Sequence, residues 1–400
     1  MNLMDLATPN GLFCDGDWIE KKDQDPQGSV RLIQLADIGV CQFKNKSSRY
    51  VTKETCLSLH CTTLQQGDIL IARLPDPLGR ACIFPLDGSY ITAVDVAILR
   101  IKRPDIDSKY IMYLINSPQF RNAIKQYESG TTRKRISRKN LERIEFNVPP
   151  LDEQQRVVAR IEELFSQLDS AVATLNTIKQ QLAVYRQLVL HSVFTSIDSD
   201  DYQKLDSIIL DGPHNGIYKP KSEYGEGIRI LRIDGFYDGK ILDDYKWQRL
   251  SLTLEEIDKY CLKVSDIVIN RVNSMSHLGK CALVRVLNET TVFESNMMRL
   301  RVDTTRVNPE FLVMYLSSQT GRNELTKNAK QAVNQASINQ TDVRNAHIPL
   351  PDLSTQNKLL QKAKKKLAVC ERIEDMVDTT RQQANALRQS ILKKAFEGRL

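Results

Sequence analysis

Ten residues from Gly130 to Lys139 hold five cations, Arg133, Lys134, Arg135, Arg138 and Lys139, and no carboxylate. Cations this close together can neutralise successive phosphates of a nucleic acid, a sequence-independent source of affinity that weakens with salt. A solvated basic loop has the same composition. Farther along, Lys330 to Gln335 is amide-rich instead, with Gln331, Asn334 and Gln335. Asn and Gln pair with adenine edges whereas Arg and Lys favour guanine, so two equivalent segments of different chemistry would read different half-sites. Further base-reading candidates are Arg73 and Arg80 at the ends of one loop and Asn270, Arg271 and Asn273 at the start of another. His214, Asn215 and Lys219 lie in a third loop, Gly212 to Lys219, which falls on Gly16-Asp17-Trp18 in an internal repeat. All three loops also have the composition of ordinary turns.

Catalytic chemistry has less support. An amino-methyltransferase needs an acidic or Asn catalytic loop rich in proline and a glycine-rich cofactor loop, and the chain contains neither an N/D-P-P-Y/F box nor a GxGxxG string. Pro104-Asp105 with Asp107-Ser108-Lys109 faintly echoes a nuclease motif, but these carboxylates share one short turn instead of lying on paired strands. Cys56, His60 and Cys61 lack a suitably spaced fourth ligand and read as buried thiols beside a strand histidine. Eight cysteines without a CxxC suggest neither a disulfide framework nor a typical zinc site. No catalytic residue and no metal are expected.

The elements that must position the binding candidates are more legible. From Asp152 to Phe194 apolar residues recur at alternating spacings of four and three: Val157, Ile161, Leu164, Leu168, Ala171, Leu175, Ile178, Leu182, Tyr185 and Val189. This pattern makes a narrow apolar seam on a long helix, which needs a second helix to cover it. A shift of 202 residues supplies one, placing Leu359, Ala363, Cys370, Ile373, Val377, Ala384, Leu387 and Ile391 on the same seam. The second seam is thinner, with Lys366 where the first helix has Leu164. Each helix follows a proline and has a capping residue near its start, expected at Asp152 and Ser354.

The segments before the helices also repeat. Arg31 to Leu35 matches Arg229 to Ile233, and Asp68 to Arg73 matches Asp266 to Arg271, both at an offset of 198. The offset becomes 200 at Leu78-Gly79-Arg80 and 202 at Tyr113-Leu114, so length changes are confined to loops. Short β-type runs at 30–35, 68–72 and 90–99 and a helical run from Ser108 to Tyr127, broken at Pro118, make each copy a mixed domain. The expected fold class is α+β, two tandem globular DNA-recognition domains separated by an antiparallel two-helix coiled coil. The expected boundaries are 1–148 and 198–350 for the domains and 149–197 and 351–400 for the helices. Connectivity alone would put the domains at opposite ends of a helical rod of about 65 Å, close to two turns of duplex.

Hydrophobic content of 41% and a mean hydropathy of −0.36 describe a soluble chain, and a net charge of +7 permits a polyanionic partner. Without a secretory-type start or a long apolar run, the expected location is cytoplasmic, with no membrane partner.

The entry Pro149-Pro150-Leu151-Asp152-Glu153-Gln154, the helix ends Arg186-Gln187-Leu188 and Arg388-Gln389-Ser390, and the terminal Phe396-Glu397-Gly398-Arg399-Leu400 resemble the repeat motifs of the specificity subunits of type I restriction-modification systems. The resemblance covers essentially the whole chain. It implies a non-catalytic subunit that reads a bipartite, gapped sequence in double-stranded DNA. It further implies docking of two modification (methyltransferase) subunits and of restriction (endonuclease/translocase) subunits. S-adenosylmethionine, ATP and Mg would belong to those partners, with no cofactor in this chain. The competing readings are a coiled-coil adaptor whose globular repeats bind proteins and an enzyme with an unrecognised site.

Overall fold

The computed structural model describes residues 1–237, 239–242, 245–333 and 335–400. The chain divides into two compact units, a first lobe of residues 1–175 with 378–400 and a second of residues 176–377. In the first lobe β1 (Leu12–Asp15), β2 (Val30–Ile33), β3 (Arg49–Val51), β4 (Ile69–Ala72), β5 (Ala81–Ile83), β6 (Tyr90–Thr92) and β7 (Val96–Arg100) form two sheets. One is antiparallel, in the order β1-β7-β4-β5. The other runs β3-β2-β6, with β2 and β6 parallel.

Strand β4 is wholly buried, and its two faces serve different cores, as the two-residue period of a strand requires. Ile69 and Ile71 enter the cluster with Ile111, Ile115 and Ile161, while Leu70 and Ala72 enter the one with Ile33, Phe84 and Val96. The helical run is divided as its proline predicts, into Ser108–Asn116 and Pro118–Gln126. Asp107 and Ser117 cap the two pieces.

The second lobe repeats this architecture. Cys281–Leu283, Ile267–Asn270, Met297–Val302 and Ile209–Asn215 form its antiparallel sheet, and Gln248–Leu250, Tyr224–Leu231 and Thr291–Phe293 its mixed sheet. Buried polar pins recur with the sheets. Asp68 takes two bonds of 2.7 Å from Arg100, and Asp266 takes bonds of 2.7 and 3.3 Å from Arg301. Each long helix is pinned at its entrance by a buried amide. Gln154 accepts from the Asp107 amide (2.8 Å) and donates to Pro149 (2.8 Å), and Gln356 accepts from the Asn308 amide (2.8 Å) and donates to Pro351 (2.7 Å).

The long helices span Leu151–Phe194 and Leu353–Ala395 and run antiparallel. Two capping expectations are corrected. Asp152 lies inside the first helix, whose entry is made by Pro150 accepting the Gln154 amide (3.1 Å). The second helix is capped by Asp352 rather than Ser354. Asp352 accepts from the Thr355 hydroxyl (2.6 Å) and amide (3.0 Å), and these bonds hold its pKa below the usual carboxylate range.

The seam also shifts in part. Ile161, Leu182 and Val189 are buried and Val157, Leu164, Leu168, Leu175 and Ile178 half-buried, whereas Ala171 is exposed. On the second helix the buried series has a strict period of seven, Ala363, Cys370, Val377, Ala384 and Ile391, with Leu359 half-buried. Ile373 and Leu387 are 36% and 48% exposed, and Tyr185 is 47% exposed. Glu374, Arg186 and Arg388 lie one position beyond Ile373, Tyr185 and Leu387. The first two pair with each other at 2.8 Å, and Arg388 pairs with Asp169. Among the described residues no helix is long and apolar enough to cross a membrane.

Candidate nucleic-acid interface

The cationic segment of the first lobe is a hairpin. Ser129 and Arg135 exchange backbone bonds of 2.9 and 2.8 Å around the loop between them. Gly130 turns the chain at φ +95°, where an added Cβ would lie 2.3 Å from the Arg133 carbonyl. The fully buried Ile136 anchors the hairpin, and its amide donates to the Arg73 carbonyl at 3.1 Å. Arg133, Arg135 and Lys139 are exposed without an ion pair among the described residues. Lys134 pairs with Glu128 at 2.7 Å. Arg138 pairs with Glu142 and with Asp15 (3.7 Å) and lies over the Phe13 ring.

The second lobe builds the equivalent hairpin from Lys330–Ala332 and Gln335–Ser337, and the latter strand also pairs with Val272–Asn273. Buried Ala336 and Ile338 anchor it, and the Ile338 amide donates to the Arg271 carbonyl at 2.9 Å, repeating the bond between Ile136 and Arg73. Gln331 and Gln335 are exposed, Val333 near the tip is 92% exposed, and Asn334 lies outside the described residues. The strand pairing brings Asn273 beside the hairpin, where its side-chain oxygen accepts the Ser274 amide at 2.8 Å.

Other candidates belong to the scaffold. Arg80 is 6% exposed and donates to the carbonyls of Ile38 (2.7 Å), Leu35 (2.9 Å), Leu74 (2.9 Å) and Pro77 (3.2 Å), so it ties loops together instead of meeting a base. Arg73 is equally buried, pairing with Asp15 at 3.0 Å and donating to the Val94 carbonyl. Sequence cannot separate such a strut from a reader, because both are arginines at loop ends. Lys219 sits between Glu223 and Glu256, each at 2.8 Å, whose hydrogen bonds raise its pKa. His214 and Asn215 end a strand rather than occupying a loop. Both are exposed, and His214 is bonded to Asp211 at 2.7 Å. Arg271 donates to the Ser295 carbonyl at 3.1 Å. Asn270 is fully buried, and among the described residues neither polar atom of its side chain has a hydrogen-bond partner. His60 is also corrected: it follows the helix Lys53–Ser58 and is exposed, while Cys56 and Cys61 pack partly against Val30 and Val51.

Two exposed aromatics, Trp18 and Tyr218, join these candidates. Trp18 is 70% and Tyr218 79% exposed, and they occupy equivalent positions of the two lobes. In the sequence, the match of Gly16-Asp17-Trp18 to Gly216-Ile217-Tyr218 places an aromatic at the same point of both copies.

Two lobes of one fold each present an anchored hairpin, the first bearing exposed cations and the second exposed amides. The chain belongs to the type I restriction modification DNA specificity domain family, whose model matches residues 17–183 and 219–368. It is a specificity subunit, and recognition of DNA is its role. It is 28% identical over 312 residues to the StySPI specificity subunit of Salmonella potsdam, covering 74% of this chain and 67% of that one. It is 27% identical over 326 residues to the EcoKI specificity subunit of Escherichia coli K12, covering 76% and 68%. A solved chain from work on complex assembly and conformational transition of the type I R-M system shares the fold, with a TM-score of 0.67 over 100% of this chain and 97% of that one at 18% identity.

Proposed function

We propose that each lobe reads one half of a split target in double-stranded DNA, so that residues 1–148 and 198–350 act as separate recognition domains on the long helices. The observation that carries this reading is the pair of equivalent hairpins, fastened by the same backbone bond and bearing different side chains. In the first lobe Arg133, Arg135 and Lys139 would hold phosphates, with Lys134 and Arg138 at the margin. In the second, Gln331 and Gln335, with Asn273 beside them, would pair with base edges, adenine above all. His214 and Asn215 would extend that contact.

The chain itself is non-catalytic in this reading. Two modification subunits would dock on it and carry S-adenosylmethionine, and restriction subunits would bring ATP and Mg, all in the cytoplasm. A footprint on duplex DNA with and without those partners tests it. Two protected patches separated by an unprotected gap are expected. No preference for DNA at low salt would favour the adaptor reading, and methyl transfer by the purified chain alone would overturn the non-catalytic one.

A further inference from the structure

Trp18 and Tyr218 are joined to their hairpins by the same ladder of backbone bonds. In the first lobe the Ile136 amide holds the Arg73 carbonyl, the Arg73 amide holds Asp95 (2.9 Å), and the Asp17 amide holds Thr92 (2.7 Å). In the second the Ile338 amide holds Arg271, the Arg271 amide holds Asn296 (2.9 Å), and the Ile217 amide holds Phe293 (2.9 Å). Each ladder ends one residue before the aromatic. Neither ladder leaves slack at that point. A Cβ added at Gly16 would lie 2.3 Å from the Ala93 carbonyl, and one at Gly216 2.2 Å from the Glu294 carbonyl. The backbone that presents the ring is therefore fixed against the strand connection that also holds the hairpin.

A ring exposed to this degree on a fixed backbone gains nothing from the lobe's own core. The indole N–H of Trp18 reaches Glu20 at only 3.3 Å, a bond too weak to account for the placement. We infer that Trp18 and Tyr218 are DNA-contacting aromatics, each laying its ring on a deoxyribose or a thymine methyl group beside the groups held by its hairpin. An aromatic side chain can meet a thymine methyl group in a groove of the duplex without hydrogen-bond readout. The hairpin that shares each ring's backbone ladder favours DNA over a protein partner: in the first lobe it is cationic, and in the second it carries Lys330, Gln331 and Gln335. The inference rests on the proposed DNA recognition and adds to it a contact that is apolar and common to both lobes.

Trp247 is the other tryptophan of the chain, so the full-length W247F variant makes Trp18 the single fluorescent reporter. Adding duplex that contains the target should quench and shift its emission and protect it from acrylamide. Trp18→Ala and Tyr218→Ala should each weaken binding about tenfold, the size expected for covering part of one exposed ring. They should leave the salt slope and the thermal unfolding temperature unchanged. If the W247F chain binds duplex and the Trp18 emission does not move, the inference fails while the proposed function stands. If that chain binds no DNA, alone or with its modification subunits, the proposed function fails first. Unchanged DNA affinity in W18A and Y218A with weakened capture of a modification subunit would reassign the rings to a protein interface and overturn the inference.

Discussion

The two lobes share a fold to the level of single hydrogen bonds, yet differ in the polar groups that fill it. In the first, Ala72 ends the central strand and Arg80 is buried among four carbonyls. In the second, Asn270 takes the place of Ala72. Lys280 takes that of Arg80, and its ammonium lies 3.6 Å from the centre of the Tyr237 ring. A strut joining each sheet domain to its long helix has also reversed its polarity. It is Lys109 to Glu162 at 2.7 Å in one lobe and Glu310 to Lys364 at 2.5 Å in the other. The long helices differ in the same manner. The first carries four Lys and Arg against five Asp and Glu, whereas the second carries ten against four. What has been kept is the apolar core, the Asp68 and Asp266 pins and the Gln154 and Gln356 entrances to the long helices. Charges at the surface, where a partner would meet them, have changed freely.

The sharpest break in this comparison should come from Arg80. Removing its guanidinium leaves four carbonyls without that donor around a cavity, so Arg80→Ala should cost about 3 kcal/mol or more. Lys280→Ala should cost less, because its half-buried ammonium meets the Tyr237 ring and the His277 imidazole and no set of four carbonyls. Urea unfolding of both variants, followed by hydrogen exchange on each lobe, measures the contrast. Equal losses would mean that the second lobe has its own buried cationic tie.

The hairpins should separate by kind of effect. Replacing Arg133, Lys134 and Arg135 by Ala is expected to weaken all sequences alike and to lower the logarithmic salt slope by up to about 2.7, at roughly 0.9 per phosphate contact. Replacing Gln331 and Gln335 by Ala should leave that slope alone and lose about 1–3 kcal/mol of discrimination at one half-site. Titrations of matched and mismatched duplexes at several salt concentrations read both. A slope change from the glutamines, or a sequence-selective loss from the arginines, would reverse the roles assigned to the lobes.

Most of this fold was legible before coordinates because its determinants are periodic or punctual. Pro118 divides a helix at the residue ahead of it, and Gln154 and Gln356 occupy matching places because each fills the same backbone pocket. The seam was legible only where both heptad positions are apolar. Where Arg186, Glu374 and Arg388 take one of them, counting apolar residues chose the neighbouring Tyr185, Ile373 and Leu387, which are exposed. The interface was less legible still. Gly130 and the basic run marked one hairpin, but Arg73 and Arg80 differ from surface arginines only through the carbonyls around them, and those come from segments distant in sequence.

Asn270 offers a smaller test. Its side-chain amide is fully buried without a partner among the described residues, and the first lobe has Ala72 at the same place. Asn270→Ala should therefore stabilise the second lobe by about 1 kcal/mol, and Ala72→Asn should destabilise the first by about 1–3 kcal/mol. Thermal unfolding measures both. A loss of stability in N270A would show that the amide is satisfied in solution.

The smallest expected effect concerns the reversed strut. All four of its side chains are partly exposed, so each pair contributes under about 0.5 kcal/mol. Lys109→Glu should destabilise the first lobe slightly through repulsion with Glu162, and adding Glu162→Lys should restore it, giving the arrangement found in the second lobe. A pH scan adds a sign. Burial pushes the Glu310 pKa up, but Lys364 and Arg285 outweigh it, leaving the folded value below the ordinary one. Its contribution is therefore present above the unfolded carboxylate pKa and is lost as pH falls through the depressed folded value. Glu310→Gln should remove that acid-side loss from the second lobe. A double reversal at 109 and 162 that fails to recover stability would show that the strut's polarity is set by neighbours and is not free to change.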